Sequence, residues 1–235
     1  MRKSLFAAGT VALALSAAGI AYAQTPEPSV TVTASVSPTK AGTSSKPKAT
    51  KLKLTVKNDA ASKTTAAKIT IAFPSTLKIS TSGLEQCKAN DEALLAGPEK
   101  VCKKSIAGSG SAHALLNPFG ATPAPLTFKV VPVVGKNEII FVLSGSAPAV
   151  LHGKISGKKM TIAIPDFLQQ PVPDTYSALT DLSTTISAKK GSKSLISATG
   201  CKSKKHSIGV TVGYAPNPSP PAKSSATGTG DAKCS

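Results

Sequence analysis

Arginine is almost absent from this 235-residue chain: Arg2 is the only one among 28 basic residues. Tryptophan is missing altogether, and the aromatic set is six Phe and three Tyr. Acids are few as well, 11 Asp and Glu, which leaves a formal charge of +17. Each shortage excludes some chemistry. A phosphate site built on the planar arginine fork has nothing to build with, and base- or sugar-stacking platforms need aromatics this chain does not carry. Nucleic acid is therefore not an expected partner. Familiar catalytic spacings are also missing: there is no GxSxG elbow, no GxxxxGK[ST] loop and no CxxC pair. After residue 23 no apolar run is long enough to span a bilayer.

What is present begins with a leader. Residues 1–23 join a basic start (Arg2, Lys3) to an Ala-rich apolar run, Leu5 to Ile20, and a small-x-small site, Ala21-Tyr22-Ala23. This is the pattern of a secretory signal peptide cut after Ala23. The expected mature protein is exported, soluble, free of arginine and charged +15, because the leader takes two positive charges and no acid with it. Its four cysteines, Cys87, Cys102, Cys201 and Cys234, are an even set in an exported chain and read as two disulfides. Three connectivities are open. The sequence-near pairs Cys87–Cys102 and Cys201–Cys234 need the least reorganisation, at roughly 3 to 4 kcal/mol of loop-closure stabilisation each. A zinc site is disfavoured by the spacing, and no metal or cofactor is expected.

Past a short Pro-containing lead, residues 24–28, apolar residues alternate with polar ones, which is the strand signal. Val30, Val32, Ala34 and Val36 alternate with Thr and Ser. Leu52, Leu54 and Val56 alternate with lysines and Thr55. Ile69, Ile71 and Phe73 continue the pattern up to Pro74. The run Glu138 to Leu143 is almost wholly apolar and reads as a central strand buried on both faces. Pro132 marks an edge or bulge, and Ser156-Gly157-Lys158 marks a hairpin. Between Cys87 and Cys102, Asn90 to Gly97 reads as one short helix capped by Asn90 or Asp91. From Ala215 the composition turns to Pro, Ser, Gly and Thr. The expected fold is an all-β antiparallel β-sandwich of about ten to twelve short strands over residues 29–214, with one short helix in a disulfide-clipped loop. Two smaller sandwiches split near residues 144–148 are the alternative. Residues 215–235 are expected to be an extended or disordered tail, tethered by Cys234.

The strand-then-FP step (Ile69 to Pro74), Cys87 followed by Cys102-Lys-Lys-Ser-Ile-Ala-Gly-Ser-Gly-Ser-Ala112, and Ala198-Thr-Gly-Cys201 with a strand and Cys234 after it resemble a loose group of uncharacterised exported β-sandwich proteins of actinobacteria. This chain has Lys103 where that group usually has proline. The resemblance implies a fold and export, and carries no activity.

For chemistry, Asp91 and Glu92 suit a helix N-terminus, and Asp166, Asp174 and Asp181 surround a Pro-rich loop. SxxK spacings at Ser37–Lys40, Ser75–Lys78 and Ser156–Lys159 lack supporting motifs, and His113, His152 and His206 stand alone. The lysines are the unusual quantity. Lys46, Lys48, Lys51, Lys53 and Lys57 crowd one stretch; Lys189, Lys190, Lys193, Lys202, Lys204 and Lys205 crowd another. Of these, Lys51, Lys53 and Lys57, with Lys189, Lys190, Lys204 and Lys205, are the candidate contacts for an anionic envelope polymer. The bland reading of the same charge is solubility and protection of sheet edges. The expected function is a non-catalytic cell-surface or extracellular structural or binding module, its partner an anionic polymer or another surface protein. The alternatives are an extracellular polymer hydrolase with an unrecognised acid or Ser–Lys site, and an adhesion-type protein-binding domain.

Overall fold

The structure is a computed structural model that describes residues 26–59, 63–118, 120, 122–216, 221 and 223–235. The expected leader and the first residues of the lead lie outside the described residues. Sixteen strands are described: β1 (Val30–Ser37), β2 (Lys48–Ala49), β3 (Lys51–Asn58), β4 (Ala66–Ala72), β5 (Leu77–Ile79), β6 (Gly108–Leu116), β7 (Ala124–Gly135), β8 (Glu138–Gly145), β9 (Ala149–Ser156), β10 (Lys159–Ala163), β11 (Ser177–Ile186), β12 (Lys189–Lys190), β13 (Lys193–Ser194), β14 (Ile196–Ala198), β15 (Lys205–Tyr214) and β16 (Ser225–Lys233). Three short helices accompany them: α1 (Asp91–Leu95), α2 (Pro98–Val101) and α3 (Asp166–Gln169).

The fold is all-β and antiparallel, but its main layer is not two stacked sheets. Eleven strands form one sheet in the order β1-β3-β11-β6-β7-β8-β9-β10-β4-β15-β16. A twisted sheet this wide curls until its edges approach. Here β1 and β16 lie against each other, so the sheet is nearly a barrel. The period-2 pattern sets which way each residue points. Leu52, Leu54 and Val56 of β3 are buried inside with Val32, Ala34 and Val36 of β1, while Lys51, Lys53 and Lys57 face out. Apolar-in and polar-out is the reverse of a lipid-spanning barrel. No helix among the described residues is long and apolar enough to cross a membrane.

The second half of β7 and the middle of β8 are buried on both faces. Val130, Val134, Ile139 and Phe141 point into the barrel, and Val131, Val133, Ile140 and Val142 point out under a flap. The flap is the segment clipped by Cys87–Cys102, whose Cα atoms are 5.4 Å apart. Its Leu94 is fully buried against those outer residues. The short helix expected over Asn90 to Gly97 is α1, and a second one, α2, follows beyond it. Asn90 caps α1 through its side chain, which accepts from Ala93 N at 2.9 Å, and Pro98 opens a second turn, α2. Proline has no N–H to continue a helix but suits a first position.

Pro132, expected at an edge or a bulge, lies at a bulge: it sits inside β7 opposite Phe141, its carbonyl accepts from Ala107 N, and the pairing toward β6 slips by one residue between Gly110–Val130 and Ile106–Val133. Another expectation is corrected: the end of the chain is not a loose tail. Ser225–Lys233 is β16, paired residue for residue with β15. Its inward positions are Ala226, Gly228, Gly230 and Ala232, so the alternation exists without large apolar residues to reveal it. Cys201–Cys234 ties its end down. Residues 144–148 are the end of β8 and the turn into β9, within the same sheet.

A small sheet, β2-β14-β5, closes one end of the barrel. Leu77, Ile79, Ile196 and Ala198 plug the core, and Lys78 and Ser197 face outward. At the opposite end the loop from β10 to β11, which contains α3, flanks an apolar cavity.

Candidate functional site

The outer surface of the small sheet is the candidate site. It is a cleft of about 420 Å³ lined by Lys46, Lys78 and Lys193 with Ser80, Ser82, Ser192, Ser194 and Ser197. The three lysines come from distant parts of the chain, and local structure places each one. Lys46 ends a tight turn in which Lys46 N donates to Thr43 Oγ1 at 3.1 Å and Thr43 N donates to the Lys46 carbonyl at 3.0 Å. Lys78 is the outward residue of β5, registered against Ser197 of β14. Lys193 follows the β12–β13 turn, and its side chain passes over Gly83, at positive φ of 76°. A Cβ on Gly83 would lie 3.0 Å from Lys193 Cγ, so a larger residue there would displace the lysine.

No carboxylate lines the cleft, and none of the three lysines has an ion-pair partner among the described residues. The serines are partly spent on one another: Ser194 Oγ and Ser197 Oγ are 2.9 Å apart, and Ser82 N donates to Ser80 Oγ at 3.3 Å. Close by, Lys189, Lys190 and Lys104 border a second hollow with Glu85. The hydrogen bond from Lys190, at 3.0 Å, holds the Glu85 carboxyl below its usual range, and the charges of Lys190, Lys104 and Lys88 add to the effect. This end of the molecule is therefore a positive field with one neutralised acid in it. Ammonium groups and hydroxyls around an uncompensated hollow are suited to holding phosphate, sulfate or carboxylate groups.

The seven lysines singled out from the sequence occupy three places. Lys51, Lys53 and Lys57 form an outward stripe on β3, beside Ser37, Ser35 and Thr31 of β1. Across β11, Thr185 faces Lys53 and Asp181 faces Lys57. Lys189 and Lys190 sit on the β12–β13 hairpin, and Lys190 is taken by Glu85. Lys204 lies in the turn before β15, where its carbonyl accepts from Cys234 N, and Lys205 is paired with Asp231 at 2.6 Å. Lys46 and Lys193 were visible in the two lysine-rich stretches. Lys78 was visible only as part of an SxxK spacing, and nothing local shows that it meets the other two.

The histidines and acids also find places that linear reading missed. His113 Nδ1 lies 2.8 Å from Asp181 Oδ1 on the outer face of β6 and β11. His152 is bracketed, with Nδ1 3.1 Å from Glu138 Oε2 and Nε2 3.2 Å from Asp91 Oδ1, which pins α1 to the sheet. Asp166 opens α3, and Asp174 takes a left-handed turn position. Among the described residues no three His, Cys, Asp or Glu side chains converge as metal ligands would.

No protein-family model matches this chain, and no curated protein does either.

Proposed function

We propose that the protein is an exported, non-catalytic binding module that holds an anionic polymer of the cell envelope at the lysine–serine cleft. One observation carries this reading: three lysines distant in sequence converge on a cleft with five serines and no acid. Separate charges on a flat surface would serve solubility alone; a recessed cluster without counter-charges attracts and orients a repeating anion. The outward stripe Lys51, Lys53 and Lys57 then serves as a secondary track for the same polymer. Export rests on the signal-peptide pattern of residues 1–23, and two disulfides fit that compartment.

The test is co-sedimentation of the mature protein with insoluble envelope material and with purified wall phosphate polymer. In the variant Lys46→Gln/Lys78→Gln/Lys193→Gln, binding should fall at least tenfold. Lys53→Gln/Lys57→Gln removes two charges on the barrel wall and should cost less. Equal binding by the triple variant and the unaltered protein would remove the cleft from consideration.

A further inference from the structure

The end of the barrel opposite the lysine cleft carries a different chemistry. A cavity of about 80 Å³ lies there between β6, β7, β8 and β11, lined by Ala112, Ala114, Phe128, Leu143 and Leu179 and closed on one side by Leu168. The alanines of β6 make the space, because the residues paired with them on β7 and β11 are the larger Leu126, Phe128, Leu179 and Leu182. One lining residue bears a polar side-chain group, Ser177, and its hydroxyl donates to the Leu168 carbonyl. The cavity therefore offers an occupant no free side-chain donor. At the mouth the β10–β11 loop turns Leu168 and Pro171 inward and leaves Phe167 and Val172 outside, 55% and 52% exposed. These are two of the four large hydrophobic residues that are exposed among the described residues.

We propose that this cavity binds an unbranched aliphatic chain, which enters past the β10–β11 loop and carries its polar head outside. A dry apolar cavity of about 150 Å³ admits benzene. One of roughly half that size suits a narrower guest, a run of methylenes. Phe167 and Val172 then cover the part of the chain that emerges, which accounts for apolar side chains standing in solvent on this loop.

Neutral 1-alkanols are the probe, because they carry no charge for the lysines at the far end to attract. Titration of the mature protein with 1-butanol, 1-hexanol and 1-octanol, followed by NMR of its leucine and isoleucine methyls, should show saturable binding. Affinity should rise about fourfold per added methylene until the cavity is filled, with the shifts centred on Leu126, Leu143 and Leu168. Ala114→Phe fills the space and should weaken 1-octanol binding at least tenfold. If that variant fails to fold, Ala147→Leu narrows the lining from the β8–β9 turn and should weaken binding in the same direction. Absence of saturable binding to the unaltered protein, or unchanged affinity in a folded filled variant, would overturn the proposal. Polymer binding by the lysine cleft is a separate readout that neither result moves.

Discussion

His206 is the second residue of β15 and has none of its surface exposed. Its Nδ1 lies 2.7 Å from Thr76 Oγ1, and its Nε2 has no partner among the described residues. An imidazolium here would put an N–H into a site without an acceptor, so burial holds the pKa below the ordinary 6.5. The sign of the linkage follows. Folded and unfolded chains are both neutral at this site above pH 6.5, and the full stability is present. Below it the unfolded chain takes a proton that the folded chain refuses, and stability falls until the depressed folded value is passed. Urea unfolding should show a midpoint that drops between pH 7.5 and pH 5. His206→Phe should flatten that part of the profile, and an unchanged slope in the variant would assign the acid sensitivity elsewhere. Tyr214 gives the complementary case. Its hydroxyl donates to Asn58 Oδ1 at 2.6 Å, and burial pushes its pKa up to about 12. Stability from this group is complete below pH 10 and is lost as the pH rises from there toward 12. Ultraviolet titration of the folded protein should show one phenol ionising near 12, and Tyr214→Phe should remove it.

Among the elements, β16 is the most informative, because its glycines do structural work that a loose tail would not require. A Cβ on Gly228 would lie 2.3 Å from the Val30 carbonyl, so β16 meets the backbone of β1 directly. Gly228→Val should cost about 3 kcal/mol, whereas Thr229→Val, on the outer face, should stay within about 0.5 kcal/mol. Equal effects in denaturant unfolding would mean that β1 and β16 do not close the barrel. Removing the Cys201–Cys234 bridge by a double serine substitution should cost about 4 kcal/mol, by loop-closure entropy over 33 residues. The same contrast explains what was legible in the sequence. Strands with large inward residues, such as Leu52-x-Leu54-x-Val56, declare their period and their buried face. The run Glu138 to Leu143 declares burial on both faces because no polar residue interrupts it after Glu138. Strand β16 alternates just as regularly, but Ala and Gly on its inner side imitate a linker. Likewise Lys78 is one residue of a three-residue strand. Its meeting with Lys46 and Lys193 depends on β14 lying between β2 and β5, a pairing that no local pattern encodes.

For the whole molecule, the sequence could not distinguish a sandwich from a curled sheet, since both use the same antiparallel alternation. The difference lies in whether β1 and β16 meet, a contact between the two ends of the described chain. Charge is also a property of the whole. With 26 lysines and 11 acids after residue 23, the proposed polymer binding should weaken steeply between about 50 mM and 500 mM salt as screening shortens from roughly 14 Å to 4 Å. Salt-insensitive sedimentation would point to contacts other than charge. The closing contact of the barrel also bears on how the chain acquires its shape. Strand β4 waits for β15, more than half the chain away, and β1 waits for β16, nearly the whole described chain away. Such long loops are slow to close, on the order of milliseconds to seconds. A chain that emerges amino end first has no completed wall until β16 arrives. A polypeptide truncated before residue 225 would display the unmet flanks of β1 and β15 to other chains.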